Sequence, residues 1–134
     1  MITEDYCSYE VSKLLKEKGF NEKCRGGYHY EFDDNDNPIV MFEEWTAQPY
    51  NNDFVDEGFL CSAPTIQMAM AWLRGEKGIA IIPILSSILD NEKFLWHIKI
   101  VVAKPNKIYH QGWTYESYEE AVEAALKYSL ENLI

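Results

Sequence analysis

In residues 94–102 the apolar side chains Phe94, Trp96, Ile98, Ile100 and Val102 fall on every second position. A period of two places them on one face of a β-strand, whereas a helix would scatter them around its axis. A strand with one buried face needs hydrogen-bonding neighbours and a cover, so the chain is committed to a layered fold containing a sheet. Turn signals bracket the strand, Asp90-Asn91 before it and Lys104-Pro105-Asn106 after it. Residues 79–84 predict a neighbouring strand, which Pro83 assigns to an edge or a bulge. Residues 107–113 add a short extra strand.

The cover comes from helices. Thr3 is a good N-cap, Glu4 and Asp5 suit a helix N-terminus, and Cys7, Val11, Leu14 and Leu15 recur at helical spacing. Gly19 stops that helix, with Phe20 packing behind it, so the first element spans about 4–18. Ser62 reads as the cap of a second helix, with Pro64 in its first turn and Ile66, Ala69, Met70 and Leu73 as its inward stripe, ending near Gly75 or Gly78. Ser117-Tyr118-Glu119-Glu120 forms a capping box for a last helix to about Asn132.

Between the first two helices, Tyr28, Tyr30 and Phe32 alternate with His29 and Glu31. The cluster 33–38 then makes a turn, and residues 39–45 return as a second strand. Residues 48–60 read as a long loop. The order is αββαββα. It predicts one α+β domain over 1–134, with a mainly antiparallel four-stranded sheet and helices packed on one face. Leu-Leu-Lys-Glu-Lys-Gly-Phe (14–20) beside Trp-Leu-Arg-Gly-Glu-Lys-Gly-Ile (72–79) suggests an internal duplication.

The 134 residues are 47% hydrophobic and 25% charged, the composition of a globular domain rather than of a disordered or disulfide-stapled chain. The longest apolar run, 79–89, is far short of the ~20 residues that a membrane span needs. The start, Met1-Ile2-Thr3-Glu4-Asp5, is acidic where a signal peptide is basic. Cys7, Cys24 and Cys61 are odd in number and widely spaced, which predicts reduced thiols and a cytoplasmic protein.

The net charge of −10 is not spread evenly. No Lys or Arg occurs between Arg25 and Arg74, while Glu31, Asp33, Asp34, Asp36, Glu43, Glu44, Asp53, Asp56 and Glu57 place nine negative charges there. Such a field repels nucleic-acid phosphate and attracts cationic surfaces. Tyr28, Tyr30, Trp45, Tyr50 and Phe54 lie in or beside this stretch, and aromatic residues are favoured anchors in interfaces. The reading that follows is a non-enzymatic interaction protein, immunity-like or phage-accessory. Its 31–57 region would engage a basic protein partner through Glu43, Glu44, Trp45, Asp53, Phe54, Asp56 and Glu57. The bland alternative is a solvated face that keeps the chain soluble.

Catalytic patterns are sparse. Residues 33–44 approach an EF-hand loop, with Asp33, Asn35, Asn37 and Glu44 at ligand positions, but Pro38 replaces the glycine that the sharp turn requires. Cys61 before a helix start, followed by His97 and His110, has the chain order of a papain-like thiol hydrolase, with Asn106 or Gln111 to orient the base. This is the enzymatic alternative. Against it, His97 is out of phase with Ile98 and Ile100, and a lone Cys is more often a small buried hydrophobe. No phosphate loop, dinucleotide fingerprint, HExxH or CxxC occurs, so no cofactor or metal is expected.

The stretches Cys-Ser-Ala-Pro-Thr-Ile-Gln-Met-Ala-Met-Ala-Trp-Leu-Arg (61–74) and Tyr-Glu-Ser-Tyr-Glu-Glu-Ala-Val-Glu-Ala-Ala-Leu-Lys-Tyr-Ser-Leu-Glu-Asn-Leu-Ile (115–134) resemble a family of small acidic proteins from gut-bacterial genomes and their phages. The resemblance implies a bacterial, mobile-element origin, and it implies no activity and no catalytic residue. Both stretches are helix-packing patterns. Finally, Leu95, Val101 and Ala103 oppose the main face of the 94–102 strand, as Ile82 and Ile84 oppose Ile81 and Leu85. That second apolar face is expected to be covered by a homodimer partner, a helix or the 48–60 loop.

Overall fold

The computed structural model describes residues 5–44, 58–88 and 94–134 and, within them, all side chains except those of 86–88 and 110–113. Their order is α1 (Tyr9–Glu17), β1 (Gly26–Phe32), β2 (Pro38–Glu44), β3 (Phe59–Ala63), α2 (Ile66–Trp72) continuing as a π-helical turn (Leu73–Lys77), β4 (Ile79–Ile88), β5 (Phe94–Val102), β6 (Lys107–Tyr115) and α3 (Tyr118–Asn132). The fold is α+β with antiparallel sheets, as the patterning predicts. The expected single four-stranded sheet is replaced by two three-stranded ones, ordered β2-β1-β3 and β4-β5-β6. Contacts divide the chain into two compact units, Met1–Thr65 and Ile66–Ile134.

In the first unit, Ser8 rather than Thr3 caps α1, its hydroxyl accepting the Val11 N–H at 3.3 Å. The helix therefore starts later than its acidic first residues suggest, and Tyr6 instead bridges to Thr65 as extended chain. Its end is as expected. Gly19 takes a positive φ of 97°, the Phe20 N–H donates to Leu15 O, and Phe20 is buried behind the turn. α1 packs on β3, where the Lys16 ammonium donates to Leu60 O at 2.6 Å and lies 5.6 Å from the centre of the Phe59 ring. Cys7, Val11, Leu15, Phe20, Cys24, Cys61 and Ala63 form the core of this unit.

β3 corrects the reading of Ser62 as a helix cap. Proline disfavours helical backbone in the residue before it. Pro64 thus keeps Ala63 extended, and residues 59–63 pair with β1 instead, Tyr28 opposite Cys61 and Gly26 opposite Ala63. The helix begins only at Ile66.

In the second unit, β4, β5 and β6 form a meander, with Ile81 opposite Ile100 and Ile100 opposite Tyr109. β4 is an edge strand, as Pro83 requires. α3 packs on β4, β5 and β6 and against α2, and the π-helical turn packs on β4; the sheet face that carries Ile79, Ile81, Ile98 and Ile100 is buried. Ser117 caps α3 by accepting the Glu120 N–H at 3.0 Å, and Trp96 meets Tyr118 edge to face at 5.4 Å. β6 is longer than the short strand expected from 107–113. The suggested duplication does not extend to topology. The first strand is central in one unit and the second strand is central in the other.

Candidate functional site

The acidic region centres on the β1–β2 hairpin. Its loop is built by one side chain. Asp33 Oδ1 accepts the N–H groups of Asn35 at 2.9 Å and Asn37 at 2.8 Å, while Asp36 takes a left-handed φ of 59°. These donors, Asn37 foremost, hold the Asp33 carboxyl below its ordinary pKa. Asp33 therefore acts as the pin of a hairpin turn between two strands.

The register runs unbroken from Gly26 opposite Glu44 to Phe32 opposite Pro38. Asp33 N–H donates to Asn37 O at 3.0 Å, which makes that closing pair a hydrogen-bonded one. Bonded and non-bonded pairs alternate in an antiparallel ladder. Ile39, Met41 and Glu43 thus turn their backbone groups towards β1, and Val40 and Phe42 turn theirs outward. On the opposite side of β1, the Tyr30 N–H donates to Gly58 O at 2.7 Å, as the same alternation demands. Pro38 occupies an outward position, where its missing N–H costs nothing.

The two faces of the hairpin differ. Tyr28, Tyr30, Phe32, Val40 and Phe42 share one face by register. Near the base of the hairpin this face is packed. Phe42 lies 4.9 Å from the Tyr6 ring and 5.6 Å from Tyr28, and the Tyr28 hydroxyl donates to Cys7 O at 2.6 Å. Towards the loop the face is open. Phe32 is 69% exposed and Tyr30 46%, and together with Pro38 and Gly58 they line a pocket of about 630 Å³. The other face carries Ile39 and Met41, both exposed, and a charged cluster. His29 Nε2 lies 3.0 Å from Glu31 Oε1, and its Nδ1 lies 3.5 Å from Glu43 Oε2.

Every residue of β2 is exposed, and among the described residues β2 pairs only with β1. The site thus combines a strand edge that no described residue pairs, exposed apolar side chains on both faces, and the carboxylates of Glu31, Asp34, Asp36, Glu43 and Glu44. Of the residues singled out from sequence, Glu43 and Glu44 lie on β2. Trp45, Asp53, Phe54, Asp56 and Glu57 lie outside the described residues. Tyr30 is one of the aromatic residues that sequence places in this stretch, whereas Phe32, Ile39, Val40 and Met41 are not singled out by it. Their signal is the run Pro-Ile-Val-Met-Phe at 38–42, apolar on both faces and flanked by acids.

The thiol alternative centres on Cys61, in the first unit. Cys61 lies inside β3 and is 1% exposed. Burial pushes its pKa up to about 11, against the lowering influence of Lys16 and Lys13. Cys24 is pushed to about 12 by burial and by Glu22. Cys61 is therefore held as a neutral thiol, the opposite of what a nucleophile requires. His97 belongs to the second unit, half-buried on the face of β5 opposite Ile98 and Ile100. His110 lies opposite Lys99 on β6, and its side chain and that of Gln111 are outside the described ones. Asn106 is exposed in the turn before β6.

On the second sheet, the face opposite the helices carries half-buried Leu95 and Val101 beside exposed Ile82 and Ile108. No helix among the described residues is long and apolar enough to cross a membrane. No family model, curated protein or solved structure matches the chain.

Proposed function

We propose that this chain is a non-enzymatic protein-interaction module whose acidic β1–β2 hairpin engages a basic protein partner. One observation carries the reading: large apolar side chains and six carboxylates share an exposed hairpin in a stretch that contains no Lys or Arg. Apolar surface supplies affinity, and a one-signed field supplies steering and selects against acidic partners. The burial and raised pKa of Cys61 weigh against the thiol-hydrolase alternative.

The test uses the full chain and a variant with Glu31, Glu43 and Glu44 changed to Gln and Asp34 and Asp36 to Asn, sparing Asp33. Both are used to recover partners at low and at high salt. Basic proteins should be retained by the wild type at low salt, released at high salt and lost by the variant. Equal recovery by the two chains would sink the proposal.

A further inference from the structure

We propose that the outer edge of β2 accepts an added β-strand from a basic, extended protein segment with apolar residues at every second position. This rests on the function proposed above and specifies how the partner is held. Three features converge on the same strand. Its outward backbone groups, the N–H and C=O of Val40 and Phe42 and the C=O of Pro38, have the spacing of a ladder awaiting a neighbour. Native proteins ordinarily blunt such an edge with lysine, a bulge or a cover. β2 carries no lysine and its register with β1 has no bulge. Its one proline stands at the first position, where it leaves the Val40 and Phe42 donors intact.

The second feature is the apolar surface on either side of that edge. A strand laid against β2 would extend the face of Tyr30, Phe32, Pro38 and Val40 with its own alternate side chains. In strand addition, main-chain bonds give affinity and alternate side chains give specificity.

The third feature is charge, and it selects the occupant. The flanking carboxylates are Glu31, Glu43 and Glu44 on the strands and Asp34 and Asp36 in the loop, with no Lys or Arg from 26 to 73. A strand with Lys or Arg at the positions between its apolar residues would meet them. A second copy of the hairpin would bring the same carboxylates against these, and the chain's own 45–57 segment carries Asp53, Asp56 and Glu57 and no Lys or Arg. Like charges placed opposite one another across a sheet are destabilising.

The test measures fluorescence-anisotropy binding of the full chain to a synthetic peptide alternating lysine and valine. Three probes accompany it: a glutamate–valine peptide, a lysine–valine peptide N-methylated at alternate amides, and the Val40→Pro variant. Proline at position 40 removes an outward donor and blocks the edge without removing a bond to β1. The lysine–valine peptide should bind. N-methylation at alternate amides should weaken it about tenfold or more, the loss expected when more than one ladder bond is removed, and Val40→Pro, which removes one donor and sets its ring on the edge, should weaken it at least several-fold.

Because N-methylation alters only the peptide, it reads the ladder even if Val40→Pro disturbs the hairpin. Salt-sensitive binding that ignores both changes would overturn strand addition and leave the acidic docking surface standing. Equal affinity for the glutamate–valine peptide would overturn the charge selection. Self-association of the wild type that Val40→Pro abolishes would make the occupant a second copy and overturn the proposal.

Discussion

The Phe42 ring lies 4.9 Å from the Tyr6 ring because Gly26 leaves room for both. A β-carbon at position 26 would lie 2.8 Å from Phe42 Cε2 and 3.0 Å from Tyr6 Cδ1. Glycine is thus required on β1 by what crosses over it. The contact anchors the base of the exposed hairpin to the extended chain before α1.

Gly26→Ala should therefore destabilise the chain by about 1–3 kcal/mol, the usual cost of overpacking. Phe42→Ala removes the closest atoms, so the same substitution in that background should cost much less. A double-mutant cycle in urea measures the coupling. Additive effects would show that the crowding is absorbed elsewhere.

Acid should loosen the turn through Asp33. Its folded pKa is lowered, chiefly by the Asn37 N–H and further by that of Asn35. The contribution is complete above the ordinary value of 3.8 and is lost as pH falls through the lower folded value. Amide resonances of Asn35 and Asn37 should shift with a midpoint below 3.8 in the wild type. Asp33→Asn keeps an acceptor and loses the titration, so it should abolish that step.

Alkali should weaken the fold through the thiols. Cys61 and Cys24 sit near 11 and 12 against an ordinary 9.0, because burial penalises the thiolate. The folded chain keeps protons that the unfolded chain releases, so this stabilisation is full below 9.0 and lost as pH rises through about 11 and about 12. At neutral pH a thiol-specific disulfide reagent should label Cys7, Cys24 and Cys61 only at the rate of unfolding. Fast, selective labelling of Cys61 would revive the thiol-hydrolase alternative.

The parts of the fold legible in sequence are those set by local physics. Gly19 and Gly78 both follow Glu-Lys, both take positive φ, and both precede a buried apolar residue, Phe20 and Ile79. The resemblance between 14–20 and 72–79 is thus shared helix-end chemistry. β5 was legible because Ile98 and Ile100 are buried on one face. β3 was not, because its pairing with β1 is non-local and Ser62-Ala63-Pro64 imitates a helix start. The acidic character of the site was visible in sequence as a charge gap. Its free edge was not, since strand order decides which strand lacks a neighbour, and strand order is not local.

Two phenylalanines separate what holds the fold from what the hairpin displays. Phe20 is 1% exposed behind the α1 terminus, and Phe32 is 69% exposed beside the β1–β2 loop. Truncating a buried phenylalanine leaves a cavity and costs about 3–5 kcal/mol, whereas a surface change usually stays within about 0.5 kcal/mol. Phe20→Ala should therefore collapse the urea midpoint, and Phe32→Ala should leave it in place. Binding should follow the opposite order once both are compared in the folded state. Phe32→Ala removes apolar surface from the open face and should weaken the lysine–valine peptide, while any folded fraction of Phe20→Ala should bind as the wild type does. Unchanged peptide affinity in Phe32→Ala would remove that face from the interaction and leave the β2 backbone edge and its carboxylates to hold the partner.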